Sequence, residues 1–104
     1  MKALLLACIV TAAVLASCTG QVPEPTSAHV ARAQARWPDT TARDLRAGRE
    51  LFVERCSGCH TLPRPSQHSA KEWPGIMAKM TPLVHMKPDQ IEKVQRYLMV
   101  VSEP

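Results

Sequence analysis

An all-α fold is what this chain predicts, and three observations predict it. Two stretches carry apolar residues at helical spacing behind recognisable start signals, and no stretch alternates apolar with polar residues as a half-buried strand would. The length is the third: 104 residues, shortened by an amino-terminal export signal, suffice for one small domain.

The signal comes first. Met1-Lys2 is a short basic start, and Ala3 to Ala16 is an uncharged apolar run. A bilayer-spanning helix needs about 20 such residues, so this run reads as the core of a signal peptide over 1–17. It ends in Leu15-Ala16-Ser17-Cys18, which resembles the lipobox of bacterial lipoproteins. That resemblance implies cleavage before Cys18 and a diacylglycerol on its sulfur. Leu5-Leu6-Ala7-Cys8 has similar letters, but too few apolar residues precede it, and Cys8 is expected to leave with the signal. An ordinary signal peptide with a chance cysteine is the alternative.

Residues 18–40 contain Pro23, Pro25 and Pro38 with no sustained apolar period, and read as a flexible lipid-anchored tether. Ala28 to Arg36 has some helical character but is polar and basic, with little to bury, and is assigned to the linker. The domain is expected over 41–104. Thr41-x-x-Asp44 looks like a capping box ahead of Leu45, Gly48, Leu51 and Phe52, so a helix should run from about 42 to 55. Trp73, Ile76, Met77 and Met80 form a helical stripe, with Pro74 allowed only in its first turn and Ser69 and Glu72 as a capping pair. The last helix starts at Pro88 and aligns Ile91, Val94, Tyr97, Leu98 and Val101 on one face.

Between the first and second of these helices stands Cys56-Ser57-Gly58-Cys59-His60. C-x-x-C-H reads as a site of covalent haem c attachment: two thiols one helical turn apart suit thioether bonds to the two porphyrin vinyls, and the adjoining imidazole suits the iron as proximal axial ligand. A redox dithiol and half a zinc site share C-x-x-C. The βαβ context of the first is missing, and no second Cys pair follows residue 59 to complete the second. All four cysteines are then accounted for without a disulfide: Cys8 discarded, Cys18 lipidated, Cys56 and Cys59 on haem.

The chain is identified as similar to class I c-type cytochromes over about residues 42–102. In that family the first and last helices cross, a Gly and an aromatic on the first packing against an aliphatic and an aromatic on the last. Gly48 and Phe52 match the first pair, and Val94 and Tyr97 the second. The resemblance implies a small helical domain around one haem and a distal Met ligand downstream of the motif. Four methionines are in range. Met99 and Met86 are explained by packing, whereas Met80 ends the apolar stripe just before Thr81-Pro82 and a few residues ahead of the last helix, and is the expected ligand. Met77, Met86, an imidazole and an open position remain alternatives. His68 and His85 are the rival imidazoles, and His29 belongs to the tether. Pro63 and Pro65 are candidates for the carbonyl that orients the proximal imidazole in relatives.

Charge excludes less than it first suggests. Thirteen Lys and Arg against nine Asp and Glu give +4, loss of Lys2 with the signal leaves about +3, and two haem propionates would bring that near +1. The arginines are dispersed without interleaved aromatics, so nucleic acid is not an expected partner, and no nucleotide motif is present. The expectation is a non-enzymatic monohaem electron carrier that meets redox partner proteins on the periplasmic side of a bacterial membrane. A gas-binding or gas-sensing haem protein with an open sixth position, and a haem subunit of an oxidoreductase complex, are the alternatives.

Overall fold

The computed structural model describes residues 22–57 and 62–103. Among them are four α-helices and no strand: α1 (Ser27–Arg36), α2 (Ala42–Cys56), α3 (Trp73–Met80) and α4 (Pro88–Val101), with single 3-10 turns at Pro65–Gln67 and Thr81–Leu83. None is long and apolar enough to cross a membrane. The all-α expectation, the helix expected over about 42–55, the Trp73–Met80 stripe and the helix start at Pro88 agree with this architecture.

Local chemistry explains each start. Thr41 accepts the Asp44 backbone N–H at 3.2 Å while the Asp44 carboxylate accepts the Thr41 N–H at 2.9 Å, closing the expected capping box. These bonds hold the Asp44 carboxyl below the usual carboxylate range. Ser69 and Glu72 make the same reciprocal pair ahead of α3. Pro88 occupies the first turn of α4, and the Gln90 side chain accepts the Lys87 N–H at 2.9 Å.

The core is centred where α2 crosses α4. Gly48 makes the crossing possible: a Cβ there would stand 2.8 Å from the Lys93 carbonyl carbon, closer still to its oxygen, and 2.9 Å from Tyr97 Cβ. Backbone therefore lies on backbone at this point, and only the hydrogen of glycine fits. One turn on, Phe52 meets the Tyr97 ring at 6.4 Å between centroids and the Trp73 ring edge-on at 6.4 Å. Leu45, Val94 and Leu98 fill the remainder, all fully buried.

The amino-terminal segment departs from the tether expected over 18–40. Residues 18–21 lie outside the described residues; from Val22 onward the chain is on the body of the domain. The Val22 carbonyl accepts Arg49 Nε at 3.1 Å, the Pro23 carbonyl accepts the Tyr97 hydroxyl at 2.7 Å, and Glu24 pairs with Arg49 at 2.9 Å. Burial beneath this segment pushes the Tyr97 phenol up. α1 follows, capped by Thr26 with His29, and its Ala33 is 0% exposed. Arg32 donates to the carbonyls of Val100 at 2.6 Å and Glu103 at 3.0 Å, where a cation also suits the negative end of the α4 dipole. Val30 and Trp37 pack on the core, and the Arg36 and Arg96 guanidinium groups lie over the Trp37 ring at 4.9 and 5.1 Å.

The polar look of α1 hid this role because its buried stripe is narrow: one alanine, with the rims of a valine and a tryptophan. The clearer signal was in α4. Tyr97 to Val101 are apolar at five consecutive positions and all are buried, which a helix packed on one side alone does not require. A second covering element was implied, and α1 is that element.

Candidate haem-binding cavity

α2 ends at Cys56, whose half-buried side chain lies in the wall of an apolar cavity. Phe52 lies in the wall one turn earlier; Trp73, Ile76, Met77 and Met80 come from α3, Leu98 from α4, and Leu83, Val84 and Met86 from the connection between those helices. Its volume is about 170 Å³, far above the roughly 10–15 Å³ that one water needs. With an apolar lining, such a space suits an apolar group better than solvent.

The expected α3 stripe is present and faces this cavity. Met77 is 5% exposed and Trp73 2%, whereas Met80, the last residue of α3, is 37% exposed. Trp73 is pinned by its indole N–H, which donates to the Pro65 carbonyl at 3.0 Å, so a buried donor is satisfied and the ring plane is set. Three methionines, Met77, Met80 and Met86, thus line one cavity with Cys56. Met99 is buried in α4 and does not line it.

Neither rival imidazole is among the lining residues. His68 is held edge-on against Trp73, with centroids 5.1 Å apart and Nδ1 3.6 Å from the Glu72 carboxylate, which the Ser69 hydrogen bonds hold below its ordinary pKa. His85 is exposed, and its backbone carbonyl accepts Arg55 at 2.9 Å. His29, expected in the tether, instead caps α1: its Nδ1 accepts the Thr26 N–H at 3.0 Å. Burial and the neighbouring Arg32 lower its pKa.

Cys59 and His60, with Cys18, lie outside the described residues. Among the described residues no three His, Cys, Asp or Glu side chains gather as a metal-holding group. The residues that are described are compatible with a haem: the lining is apolar and includes Cys56 and three methionines. Of the two prolines beyond the motif, Pro65 already accepts two N–H groups at its carbonyl, from Trp73 at 3.0 Å and from His68 at 3.4 Å. Both lone pairs are thereby used. Pro63 lines the cavity.

Reading from sequence found the α3 stripe and Cys56, placed Phe52 only at the helix crossing, and did not single out Leu83, Val84 or Arg55. Leu83 and Val84 lie in an irregular connection with no periodicity to align them. Arg55, the charged residue of the lining, is a neighbour of the motif whose direction only the end of α2 sets. Comparison with known proteins found no matching family profile, no similar curated protein and no similar solved structure.

Proposed function

We propose that this chain is a monohaem c-type cytochrome, an electron carrier exported and held at a bacterial membrane by a lipid on Cys18. The observation that carries the reading is the apolar cavity lined in part by Cys56, the first cysteine of C-x-x-C-H. Cys56 and Cys59 would hold haem c through two thioethers, and His60 would be its proximal axial ligand. Met80 is the proposed distal ligand. It is the most exposed of the three cavity methionines and ends its helix, so its thioether has freedom to turn, while buried Met77 serves packing. Pro63, which lines the cavity while the Pro65 carbonyl already accepts from Trp73 and His68, is the proline suited to accept the other N–H of the His60 ring.

When bound, the haem supplies a one-electron ferric–ferrous couple. The chain's own contribution is then to grip, orient and dry it. Phe52, Trp73 and Leu98 exclude water from one side, and a thioether ligand in an apolar wall favours the ferrous state relative to two imidazoles. With His60 and Met80 both holding the iron, no position would be left for substrate chemistry.

The test is the spectrum of the purified holoprotein in both oxidation states, with carbon monoxide added. A low-spin spectrum indifferent to carbon monoxide, with the weak far-red sulfur-to-iron band in the ferric form, is expected. Met80→Ala should abolish that band and admit carbon monoxide. Carbon monoxide binding by the unmodified protein would move the reading to gas binding, and co-purification with a catalytic subunit would make the chain part of an oxidoreductase. Haem-linked peroxidase staining should survive denaturing electrophoresis; its loss from protein matured in a competent host would sink the cytochrome reading.

A further inference from the structure

The contacts on residues 22–37 bear on how far the domain can stand from an anchor at Cys18. The chain joins the body at Val22, through Arg49, and is held again at Pro23 by Tyr97 and along α1 by Ala33 and Arg32. Four residue steps separate Cys18 from Val22. Whatever path residues 19–21 take, that length spans at most about 13–14 Å. A free arm from 18 to 40 would extend to roughly 70–80 Å and have a root-mean-square span of roughly 25 Å.

We propose that Val22–Trp37 is a docked strap that seats the domain directly on the lipid surface, so that its redox partner must present its own docking site at that same membrane face. The inference rests on the lipid-anchor reading of Cys18. Acyl chains hold that residue at the headgroup level, and the strap converts a long arm into a short leash. Its strength is distributed: a buried alanine, two carbonyls gripped by Arg32 and two more by Arg49 and Tyr97, so no single surface fluctuation frees it.

Trypsin tests the strap in the full-length protein on its own membranes. Between Lys2 and Arg32 the chain contains no Lys or Arg, so the domain can be cut from its anchor only at Arg32 or beyond, within or after α1. A docked helix must open locally before it is cut. Haem stain should therefore stay with the sedimented membranes, and Ala33→Glu, which forces a carboxylate into a fully buried site, should release it at least about tenfold faster. Tyr97→Phe, which loses the hydroxyl's bond to the Pro23 carbonyl and its contact with Arg49, should release it at an intermediate rate. An unchanged haem spectrum in both variants shows that the rest of the domain is folded. Wild-type shedding as fast as that of either variant, with a first cut at Arg32 or Arg36, overturns the strap.

Reach is read separately, on vesicles with acceptor-labelled headgroups and a donor dye on exposed Ala78→Cys. Energy transfer should fall when a Gly/Ser spacer of about 20 residues is inserted after Gly20; equal transfer overturns the leash. Wild-type protein found in the supernatant before any trypsin is added removes the anchor and with it the seat. Absence of haem stain from the denatured band would instead fail the cytochrome reading, with protection of Arg32 and Arg36 still measurable by mass.

Discussion

The α2–α4 crossing and the α3 rim of the cavity differ in how completely the polypeptide closes on itself. At the crossing, Gly48 lets two backbones touch, and Leu45, Val94, Tyr97 and Leu98 are each 0% exposed. At the rim, Gly75 has nothing within 4 Å of where a Cβ would stand, Leu83 is 70% exposed, and apolar side chains line a space instead of one another. The first region is a self-sufficient interface whose every substitution meets a neighbour. The second is a surface shaped for contact with something other than this chain's own core, and it tolerates change where it faces outward.

Trp73 joins the two regions, since its ring packs on Phe52 while it lines the cavity, so its removal is the harshest way to break the contrast. Trp73→Ala should cost about 3–5 kcal/mol, checked by chemical denaturation, and should also remove one of the two N–H groups that the Pro65 carbonyl accepts. If instead the loss is under about 1 kcal/mol, the cavity wall is not coupled to the crossing and the comparison fails.

The glycine pair sharpens it. Gly48→Ala should destabilise by about 2–3 kcal/mol net, because overpacking against the Lys93 backbone outweighs the roughly 1 kcal/mol gained in helix propensity. Gly75→Ala should do the reverse and stabilise by about 0.5–1 kcal/mol, since only propensity changes there. The difference in denaturation midpoint between the two variants is the measurement; equal and small effects would mean that α2 and α4 are further apart than described.

The α2 cap offers a smaller effect with a pH signature. Thr41→Ala should cost about 0.5–2 kcal/mol at neutral pH. Because folding lowers the Asp44 pKa, its contribution is present above the unfolded carboxylate value near 4 and is lost as pH falls through the folded one. The gap between wild type and Asp44→Asn should accordingly close on acidification below about pH 4.

The smallest expected effect is at His29, with the same sign and a higher window. Its pKa is lowered by burial and by Arg32, so the folded state prefers the neutral ring, and protonating Nδ1 removes the acceptor of the Thr26 N–H. Support for α1 is full above the unfolded histidine value near 6.5 and weakens as pH falls below it. Hydrogen exchange at the amides of Ser27 to Arg32 should quicken as pH falls below about 6.5, and His29→Asn, which keeps a capping acceptor, should flatten that dependence.

What could be read in the sequence was whatever repeats at helical period or is signalled within one turn. Thr41 with Asp44, Ser69 with Glu72, and Pro88 mark starts through bonds between near neighbours, which need no fold to be recognised. Gly48, Phe52, Val94 and Tyr97 were matched as a family pattern, and they do meet at one crossing. Met77 and Met80 shared one stripe in sequence but have different surroundings, one closed in and one at the edge, because helical phase alone does not say where the next segment turns away.

By itself, then, the sequence determined an all-helical domain and its three main helices, with a C-x-x-C-H motif at the end of the first of them. The tertiary structure decided the rest. Val22–Trp37 is cladding on the α4 terminus because five consecutive apolar residues there had to be covered from a second side, and a narrow Ala33 stripe was enough to cover them. Leu83, Val84 and Met86 come to the same cavity as Cys56 because the connection between α3 and α4 folds back across it. Periodicity and capping are local and so are written along the chain, whereas which surfaces face one another depends on contacts between residues far apart in sequence, such as Tyr97 with Pro23 and Arg32 with Val100.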